Sequence, residues 1–490
     1  MISNRVTLIA LIYLFVIWMG CKSDATSEKS KLITSGAELA KIQCGRCHVQ
    51  PLPSSLSKNS WRNGVLPEMA YFVGISSSGD KMFNMAEDEY YVLKESGLFP
   101  TEPLITQEQW DSLSKYYIDN APDSLVLVQD PNLDKTSQDF KSSIIYNPSE
   151  NKSSITLVES NPVDNHLFVF KEETKMLEEY DQSFHKLSEI QLSSAVSDLE
   201  IQRNQKYVLQ MGNMNPNDRK LGKLSVINEN GEITDLIDSL KRPVNLKLWD
   251  INEDGTDDYV ISNFGNLAGN LSWYDGLDKK QHIISNTAGP MTTLIKDLDG
   301  DGVEELIALF CQGNERISIF YKKGDTFTEE IALRFPPNYG SSYIDLQDIN
   351  NDGYLDLLYA NGDNADFSIE KKPYHGFTIF LNDGQNKFQK SYFYPYPGCS
   401  KVVTLDFDKD GDLDFGLISF FPDQLKNGFI FLEQKSSLNF VAKSIPGAEY
   451  GSWMVMDSDS KNNTIYLGSY NRNITFKGKQ VEMMKIKYVK

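Results

Sequence analysis

Basic residues are scarce in this chain of 490 residues. Lys and Arg total 48 against 68 Asp and Glu, which gives a formal net charge of -20. Such a chain lacks the positive surface that replaces counterions on nucleic acid, and the same deficit argues against binding to an anionic membrane surface. We therefore expect no nucleic-acid partner and a chain that collects cations.

Cysteine and long apolar segments are scarce as well. Five cysteines are too few for a fold held together by disulfides in a chain of this length. The one long apolar run covers residues 6–19, so the rest of the chain is not a bundle of membrane helices. The length allows two or three domains.

The apolar run has the length of the central part of a signal peptide and is short for a membrane span of about 20 residues. Arg5 lies at its start, and Gly20 and Cys21 follow it. An apolar segment that ends in a small residue and Cys resembles the signal of bacterial lipoproteins. The resemblance implies that residues 1–20 are a signal peptide and that Cys21 is the lipidated first residue of the mature chain.

The same resemblance implies a location in the cell envelope, with the membrane contacted only through the lipid. Residues 21–33 would form a polar tether, and Lys22 after the lipidated Cys favours the outer membrane. Trp18 departs from the usual Leu of such signals. The alternative is a plain secretory signal in which Cys21 is incidental, and it also places the mature protein outside the cytoplasm.

Residues 44–48 read CGRCH, the pattern by which haem c is attached to protein. Cys44 and Cys47 lie one helical turn apart, so each thiol can form a thioether with a haem vinyl group. His48 follows directly and is the candidate proximal iron ligand. No second CxxC or His pair follows nearby, which makes a zinc site the poorer interpretation.

The candidates for the sixth iron ligand can be reduced by elimination. His48 is the only histidine between residues 31 and 125, so a second histidine of this segment is excluded. Met69 follows shortly after a proline, and we expect a loop that presents its thioether to the haem. Met82 and Met85 lie in a more polar stretch and are the alternatives. A five-coordinate iron, with Met69 packed in the core, also stays open.

A second amphipathic helix is predicted to begin after Thr106, which can cap it, and to carry apolar residues at helical spacing. It would pack against a first helix that precedes the CGRCH motif. Residues 34–121 thus resemble a single-haem cytochrome c domain. The resemblance implies a small all-α fold that transfers single electrons to and from a redox partner. Residues 122–138 are predicted to be a linker.

Four acidic runs with one spacing recur in the second half of the chain. Oxygen-bearing side chains stand at positions one, three, five and nine, Gly stands at position six, and an apolar strand follows. Alternate oxygens in a tight loop converge on one point, which suits Ca²⁺. The candidate ligands are Asp250, Asn252, Asp254 and Asp258; Asp297, Asp299, Asp301 and Glu305; Asp348, Asn350, Asp352 and Asp356; and Asp406, Asp408, Asp410 and Asp414.

These runs begin like an EF-hand loop, but they lack its Glu at position twelve and adjoin strands. They resemble the calcium loops of FG-GAP, or VCBS-type, repeats of β-propellers, and the resemblance implies up to four Ca²⁺. The alternative is a set of turns stabilised by Asp and Asn without metal. Packing these carboxylates together without cations would be costly through like-charge repulsion.

Weaker copies of the run begin at residues 159, 198 and 457 and raise the number of repeats to seven. Their spacing is typical of propeller blades, so residues 139–490 are predicted to form an all-β propeller, with seven blades preferred over six or eight. The terminal segments, 140–146 and 481–489, are expected to share one blade and close the ring.

Three functions fit these parts, and we prefer an electron-transfer lipoprotein in which the propeller is a docking or ligand scaffold. The second is a quinoprotein-like dehydrogenase that oxidises a sugar or alcohol and passes electrons to the haem. The third is an adhesion or binding protein with a redox-sensing haem. The sequence shows no compact catalytic constellation, because the propeller histidines are scattered over separate repeats: His166, His185, His282 and His375.

Two further features of the repeats stay open. Residues 361–398 form the longest insertion and are rich in aromatic residues, Asn and Gly, which suits either a binding surface or a packed hairpin. Cys311 and Cys399 are expected to be small core residues, with an inter-blade disulfide as the unsupported alternative.

Overall fold

The computed structural model describes residues 35–77, 79, 81, 85–127, 133, 136–146, 153–161, 163–363, 368, 370–420, 427–470 and 481–489. The predicted signal peptide, Cys21, the tether over residues 21–33 and Met82 lie outside the described residues. Within the described ranges, no helix is long and apolar enough to cross a membrane.

The N-terminal part, the helical segment of residues 35–121, contains helices and turns and no strand among its described residues. A 3₁₀ turn (Pro53–Ser55) precedes the second helix, and a π-helical turn (Trp61–Val65) joins the second helix to the third. The helices are α1 (Gly36–Gln43), α2 (Lys58–Ser60), α3 (Leu66–Phe72), α4 (Glu87–Ser96) and α5 (Gln107–Asn120).

The predicted packing of the first helix against the last is present, with α1 contacting α5. Thr106 caps α5 by accepting the backbone N–H of Gln109, whose side chain in turn accepts the N–H of Thr106. The two helices approach closely at Gly36, where a Cβ would lie 2.2 Å from the carbonyl oxygen of Ser112. The core beneath them includes Tyr117, whose ring lies 4.3 Å from that of Trp61.

The remainder forms seven antiparallel sheets of four strands each, the blades of a propeller. The inner strands are β2 (Ile155–Asn161), β6 (Ala195–Gln202), β10 (Pro243–Trp249), β14 (Pro290–Lys296), β18 (Ser341–Gln347), β22 (Cys399–Leu405) and β26 (Trp453–Asp459). The second strands are β3 (His166–Lys171), β7 (Gln205–Gly212), β11 (Asp258–Asn263), β15 (Glu305–Phe310), β19 (Asp356–Asn361), β23 (Asp414–Ser419) and β27 (Thr464–Ser469).

The outer two strands of each blade complete the sheets. The third strands are β4 (Met176–Tyr180), β8 (Gly222–Ile227), β12 (Asn270–Tyr274), β16 (Arg316–Lys323), β20 (Gly376–Asn382), β24 (Phe429–Ser436) and β28 (Val481–Tyr488). The fourth strands are β5 (Lys186–Gln191), β9 (Ile233–Leu240), β13 (Gln281–Ser285), β17 (Thr326–Arg334), β21 (Phe388–Pro395), β25 (Asn439–Ser444) and, for blade seven, β1 (Phe140–Tyr146).

The ring closes through blade seven. Strand β1 from the start of the propeller pairs with β28 from its end, with Phe140 opposite Tyr488. The inner strands contact one another in order around the ring, and β26 contacts β2. The predictions of seven blades and of a blade shared by the two terminal segments are therefore confirmed.

The core lies between the blades. Second strands such as β11, β15, β19, β23 and β27 are buried along their whole length, because each is covered on both faces by neighbouring blades. Cys311 and Cys399 are buried in this core and are not joined by a disulfide, which agrees with the preferred prediction of small core residues.

The order of strands gives the propeller two faces. Turns from first to second strands lie on one side, which we call the acidic face. Turns from second to third strands, and from each blade to the next, lie on the other, which we call the helix-side face. The four acidic runs all join a first strand to a second, so they share the acidic face.

The register predicted for the three weak repeats is wrong. Glu159, Asp198 and Asp457 lie within inner strands and not in turns. The reason is that blades one and seven join their first two strands by four residues, and blade two by two residues, Arg203 and Asn204, both with positive φ. Blades three to six use eight residues at this place, so their inner strands end earlier relative to the repeat.

Candidate functional site

The CGRCH motif begins where α1 ends. Cys44 continues the helix by one residue and donates its backbone N–H to the carbonyl of Ala40 at 2.9 Å. Its side chain is half-buried against the core of the helical segment, whereas Cys47 is exposed, and both thiols are free. Burial raises the pKa of the Cys44 thiol, and the Tyr117 hydroxyl beside it acts in the opposite direction.

His48 follows as a half-buried side chain whose ring Nδ1 lies 3.0 Å from the carbonyl oxygen of Val49. A carbonyl oxygen only accepts, so Nδ1 carries the proton in this contact. Burial lowers the pKa of His48, although the same contact opposes the shift. The neutral ring therefore has its lone pair on Nε2, the form in which histidine binds a metal when its other nitrogen is held by a backbone carbonyl.

The predicted loop around Met69 is wrong, because Met69 lies within α3. Pro67 lies in the first turn of that helix, directly after the π-helical turn, in which the N–H of Leu66 donates to the carbonyl of Trp61. Met69 and Met85 are both half-buried, and Met82 lies outside the described residues. Met69 and Met85 both remain candidates for an axial ligand.

The four acidic loops share one backbone form. Position six is a glycine with positive φ in every loop: Gly255, Gly302, Gly353 and Gly411, with φ of 87°, 86°, 90° and 97°. The carboxylate at position one accepts the backbone N–H of that glycine, at 3.0 Å for Asp250 and 2.9 Å for Asp348. The sharp turn that the sequence predicted at position six is thus present.

Loops two and four bring three carboxylates together. In each loop, carboxylate oxygens of the acids at positions one, three and five lie within 4.8 Å of one another: Asp297, Asp299 and Asp301, and Asp406, Asp408 and Asp410. Loops one and three have Asn252 and Asn350 at position three. In both, the amide oxygen accepts the backbone N–H of position five at 3.1 Å, as a carboxylate would.

The acid at position nine is buried in every loop and holds the loop to its own blade. Asp258 accepts the N–H of Ile251 at 2.9 Å and of Gly276 at 2.7 Å. The equivalent acids are Glu305, Asp356 and Asp414, each of which also accepts the N–H of position two. Burial raises the pKa of all four, and raises that of Asp414 to about 7 with help from the charges of Asp408 and Asp412.

The helical segment contacts the helix-side face at two places. Near blade five, Tyr374 donates its hydroxyl to the carbonyl of Ser55 at 3.0 Å, and the N–H of Ser57 donates to Glu370 at 2.7 Å. Near blade two, the loop that follows β7 contacts α4 through Arg219 and Asp88. The insertion in blade five is therefore a contact for the helices.

A charged cluster on the inner strands was missed by sequence reasoning. Lys247 pairs with Glu200, and Asp198 accepts the N–H of Leu246 at 2.8 Å. Burial, and then the charges of Asp457 and Asp198, raise the pKa of Glu159 well above its usual value. An acidic residue within a mostly apolar strand could have indicated this cluster. The incorrect alignment of the weak repeats placed these acids in loops instead.

The propeller histidines are not all in separate repeats, because His166 and His185 both lie in blade one, but each of these two has its own partner. His166 contacts Glu179 at 2.7 Å, His185 contacts Asp181 at 3.1 Å, and the ring of His282 stacks on Trp273 at 4.0 Å. His375 is buried directly before β20.

Comparison with known proteins identifies a repeat family within the propeller. Residues 297–359 match the FG-GAP-like repeat family, over a stretch that holds the second acidic loop, strands β15 to β18 and the third acidic loop. The chain therefore contains an FG-GAP-like repeat in a seven-bladed propeller. No curated protein matches the chain.

Solved structures with a related arrangement of strands are only distantly similar. Virginiamycin B lyase from Staphylococcus aureus is 12% identical with a TM-score of 0.47, and covers 71% of this chain and 100% of its own. Kuenenia stuttgartiensis hydrazine synthase is 13% identical with a TM-score of 0.42, and covers 66% of this chain and 95% of its own. Neither likeness is close enough to carry a function to this chain.

Proposed function

We propose that the chain is an exported lipoprotein that transfers single electrons through one covalently bound haem c. In this proposal residues 34–121 are the cytochrome c domain, residues 122–138 the linker, and residues 139–490 a calcium-binding propeller that docks a redox partner or ligand. The observation that carries it is the CGRCH geometry, in which Cys44 and Cys47 are free thiols at the end of α1 and the tautomer of His48 leaves Nε2 available.

The described residues fit a covalently attached haem. Cys44 and Cys47 would hold it, and His48 would bind its iron, while the Val49 carbonyl fixes the ring orientation. The haem supplies one-electron chemistry when it is bound. α1 and α5 supply a rigid base, because the close approach at Gly36 and the capping box at Thr106 fix their crossing.

Met69 is the preferred second axial ligand, with Met85 and Met82 as alternatives. Its place in α3, one turn before the helix ends, gives the thioether a fixed origin, which a loop would not. A Met–His pair raises the reduction potential and suits transfer between partner proteins. A five-coordinate iron would instead suit ligand binding.

Calcium is proposed as the second cofactor, with up to four ions on the acidic face. Loops two and four hold three carboxylates each within reach of one ion, and loops one and three replace one carboxylate by an amide oxygen. Burial, and then the charges of Asp408 and Asp412, raise the pKa of Asp414, and a cation bound among these acids would relieve the repulsion between their charges. Hard oxygen donors are the ligands that Ca²⁺ prefers, and backbone carbonyls or water would complete its roughly six to eight ligands.

The proposed location rests on residues 1–22. The apolar run followed by Gly20 and Cys21 supports export and lipidation of Cys21, and Lys22 supports retention at the outer membrane. Contact with the membrane would then be through the lipid alone, and the net charge of -20 keeps the rest of the chain away from anionic surfaces.

A dehydrogenase is the second candidate function. The observation that favours it is the contact of the helical segment with loops of blades two and five on one face of the ring. A sugar or alcohol bound at that face would lie beside the haem-bearing segment. The scattered histidines supply no catalytic group in its support.

The haem is tested by a pyridine haemochrome spectrum of the full chain produced with cytochrome c maturation factors. We expect covalent haem in the wild type and in Cys311→Ser, because Cys311 is a core thiol far along the sequence from the motif. Cys44→Ser with Cys47→Ser should abolish it. Colourless wild-type protein, or zinc at these thiols, would contradict the proposal. Reduction of the haem by a sugar or alcohol, scored with a dye acceptor, would favour the dehydrogenase.

A further inference from the structure

One end of the ring of inner strands opens on the helix-side face, and we call this opening the mouth. Seven residues hold equivalent positions there, each directly before an inner strand. Six of them are glycine or serine, and the seventh is an arginine. In blade order they are Ser154, Ser194, Arg242, Gly289, Gly340, Gly398 and Ser452.

In four of the seven blades, the backbone at this position disfavours a side chain. Arg242 has φ of 42°, in the left-handed region, and Gly289, Gly340 and Gly398 have φ of 79°, 67° and 80°. A residue with a Cβ is unfavourable in this conformation, and such outliers cluster where the side chain has a function. An arginine in place of glycine therefore indicates that its side chain is needed at the mouth.

The guanidinium of Arg242 is half-buried and incompletely paired. Nε and one Nη donate to the carbonyl of Met214 at 3.3 and 3.2 Å, and the group lies 5.0 Å from the ring centre of Phe264. No carboxylate oxygen lies within 4.0 Å of it in the described part of the chain. Of its five N–H groups, three are left without a protein acceptor there.

Charges of both signs lie near Arg242. Burial lowers the pKa of Arg242 to about 10, opposed by the charge of Asp363, which belongs to blade five across the mouth. Lys241 adjoins it, and burial lowers the pKa of Lys241 although Asp218 and Glu95 oppose the shift. Glu95 belongs to α4, so the helical segment covers this side of the mouth.

We propose that Arg242 anchors an anion site at the mouth and binds a carboxylate group through the N–H groups that Met214 does not use. A guanidinium presents paired donors that match the two oxygens of a carboxylate. Two sources share this chemistry. One is a small organic acid that enters the mouth, and the other is a propionate of the haem, a source that rests on the proposed function of the helical segment.

The test uses the full chain with Arg242 and with Arg242→Gly. Glycine suits the left-handed backbone, as it does in blades four to six, so this variant should fold at least as well as the wild type. In the first arm both proteins also carry Cys44→Ser and Cys47→Ser, and thermal unfolding is followed with sodium acetate or succinate against sodium chloride of equal ionic strength. A small-acid site raises the midpoint with carboxylate in the Arg242 protein and leaves Arg242→Gly unchanged.

In the second arm the haem-loaded proteins are compared by resonance Raman spectroscopy, in which the propionate bending mode reports hydrogen bonding to the propionate. A shift of this mode in Arg242→Gly identifies the haem as the source. Absence of both effects would overturn the proposal. The haemochrome spectrum of the same samples separates the two failures: protein without haem contradicts the proposed function, and the first arm alone then decides the role of Arg242.

Discussion

Arg219 of the propeller donates from Nε to both carboxylate oxygens of Asp88 on α4, at 2.9 and 3.1 Å. Its neighbour Asp218 donates its backbone N–H to Glu89 at 2.9 Å, while the Asp218 carboxylate accepts backbone N–H groups of residues 266–268 in blade three. One short loop thus joins the helical segment to two blades. Together with the contact at blade five, it fixes the helices over the mouth and opposite the acidic loops.

The contact at blade five is predicted to weaken when the hydroxyl of Tyr374 is removed. Tyr374→Phe removes the hydrogen bond to the Ser55 carbonyl and the one accepted from Asn338 at 2.6 Å, which should cost roughly 0.5–1.5 kcal/mol per bond. We expect faster protease cleavage in residues 122–138, because the helical segment would be released more often. Tyr339→Phe is the matched control, since Tyr339 stacks on Tyr374 at 4.9 Å and its hydroxyl makes no hydrogen bond to described residues. Equal cleavage rates in the two variants would contradict this view.

Calcium is predicted to stabilise the propeller, because it would bind the folded loops and not the unfolded chain. Free Ca²⁺ at 100 times the Kd of one site adds about 2.7 kcal/mol to the free energy of unfolding. Removal of Ca²⁺ by a chelator should therefore lower the unfolding temperature. Asp299→Ala should reduce the stoichiometry measured by calorimetric titration by one ion, because it removes the oxygen ligand at position three, which loops one and three keep as an amide oxygen. Asp325→Ala, which truncates an exposed acid in a turn of the same blade, should leave it unchanged. A melting temperature that is indifferent to chelator would favour turns without metal.

The parts of the fold that could be predicted from the sequence are those encoded locally. Position six of each acidic loop has a positive φ, which its glycine predicts, and Thr106 as a capping residue predicts the start of α5. Contacts between distant segments carry no such signal. Ser57 and Glu370 are 313 residues apart, and nothing in either neighbourhood indicates that they meet.

The errors have an equally physical origin. The turn between the first and second strands differs in length between blades. The weak repeats were aligned by the strand that follows the turn, and this alignment wrongly placed Glu159 and Asp457 in turns, although both lie in inner strands. Proline can begin a helix as readily as it can end one, which is why Met69 was expected in a loop. The role of Arg242 could not be predicted from the sequence, because it is inferred from the glycines at equivalent positions, and that equivalence requires the blades to be aligned in the structure.

The inner-strand cluster gives a pH prediction whose sign follows from Glu159. The pKa of Glu159 is raised in the folded state, so folded protein keeps the Glu159 carboxyl protonated at pH values where unfolded protein has released this proton. The unfolded value is about 4.3, so the free energy of unfolding of the wild type falls as pH rises above it. Glu159→Gln should therefore raise the unfolding temperature at pH 8, with the gain vanishing towards pH 4.

Glu179 in the same blade is the control for this pH dependence. Burial alone would raise the pKa of Glu179, but hydrogen bonds from Ser188 and His166 outweigh it and lower the pKa. Glu179→Gln should accordingly lower the unfolding temperature at pH 8. If both variants shifted the temperature in the same direction at pH 8, the charge on Glu159 would not be the cause.

The axial ligand is predicted to be separable from the attachment of the haem. Met69→Ala should keep the haemochrome spectrum, because Cys44 and Cys47 hold the haem, and should abolish the weak far-red band that methionine ligation gives to the ferric protein. The reduction potential should fall, since a Met–His pair raises it. Met85→Ala, which also truncates a half-buried methionine, should change neither. If the band survives in Met69→Ala and is lost in Met85→Ala, the ligand is Met85. Survival in both would assign the role to Met82, and absence of the band from the wild type would indicate a five-coordinate iron.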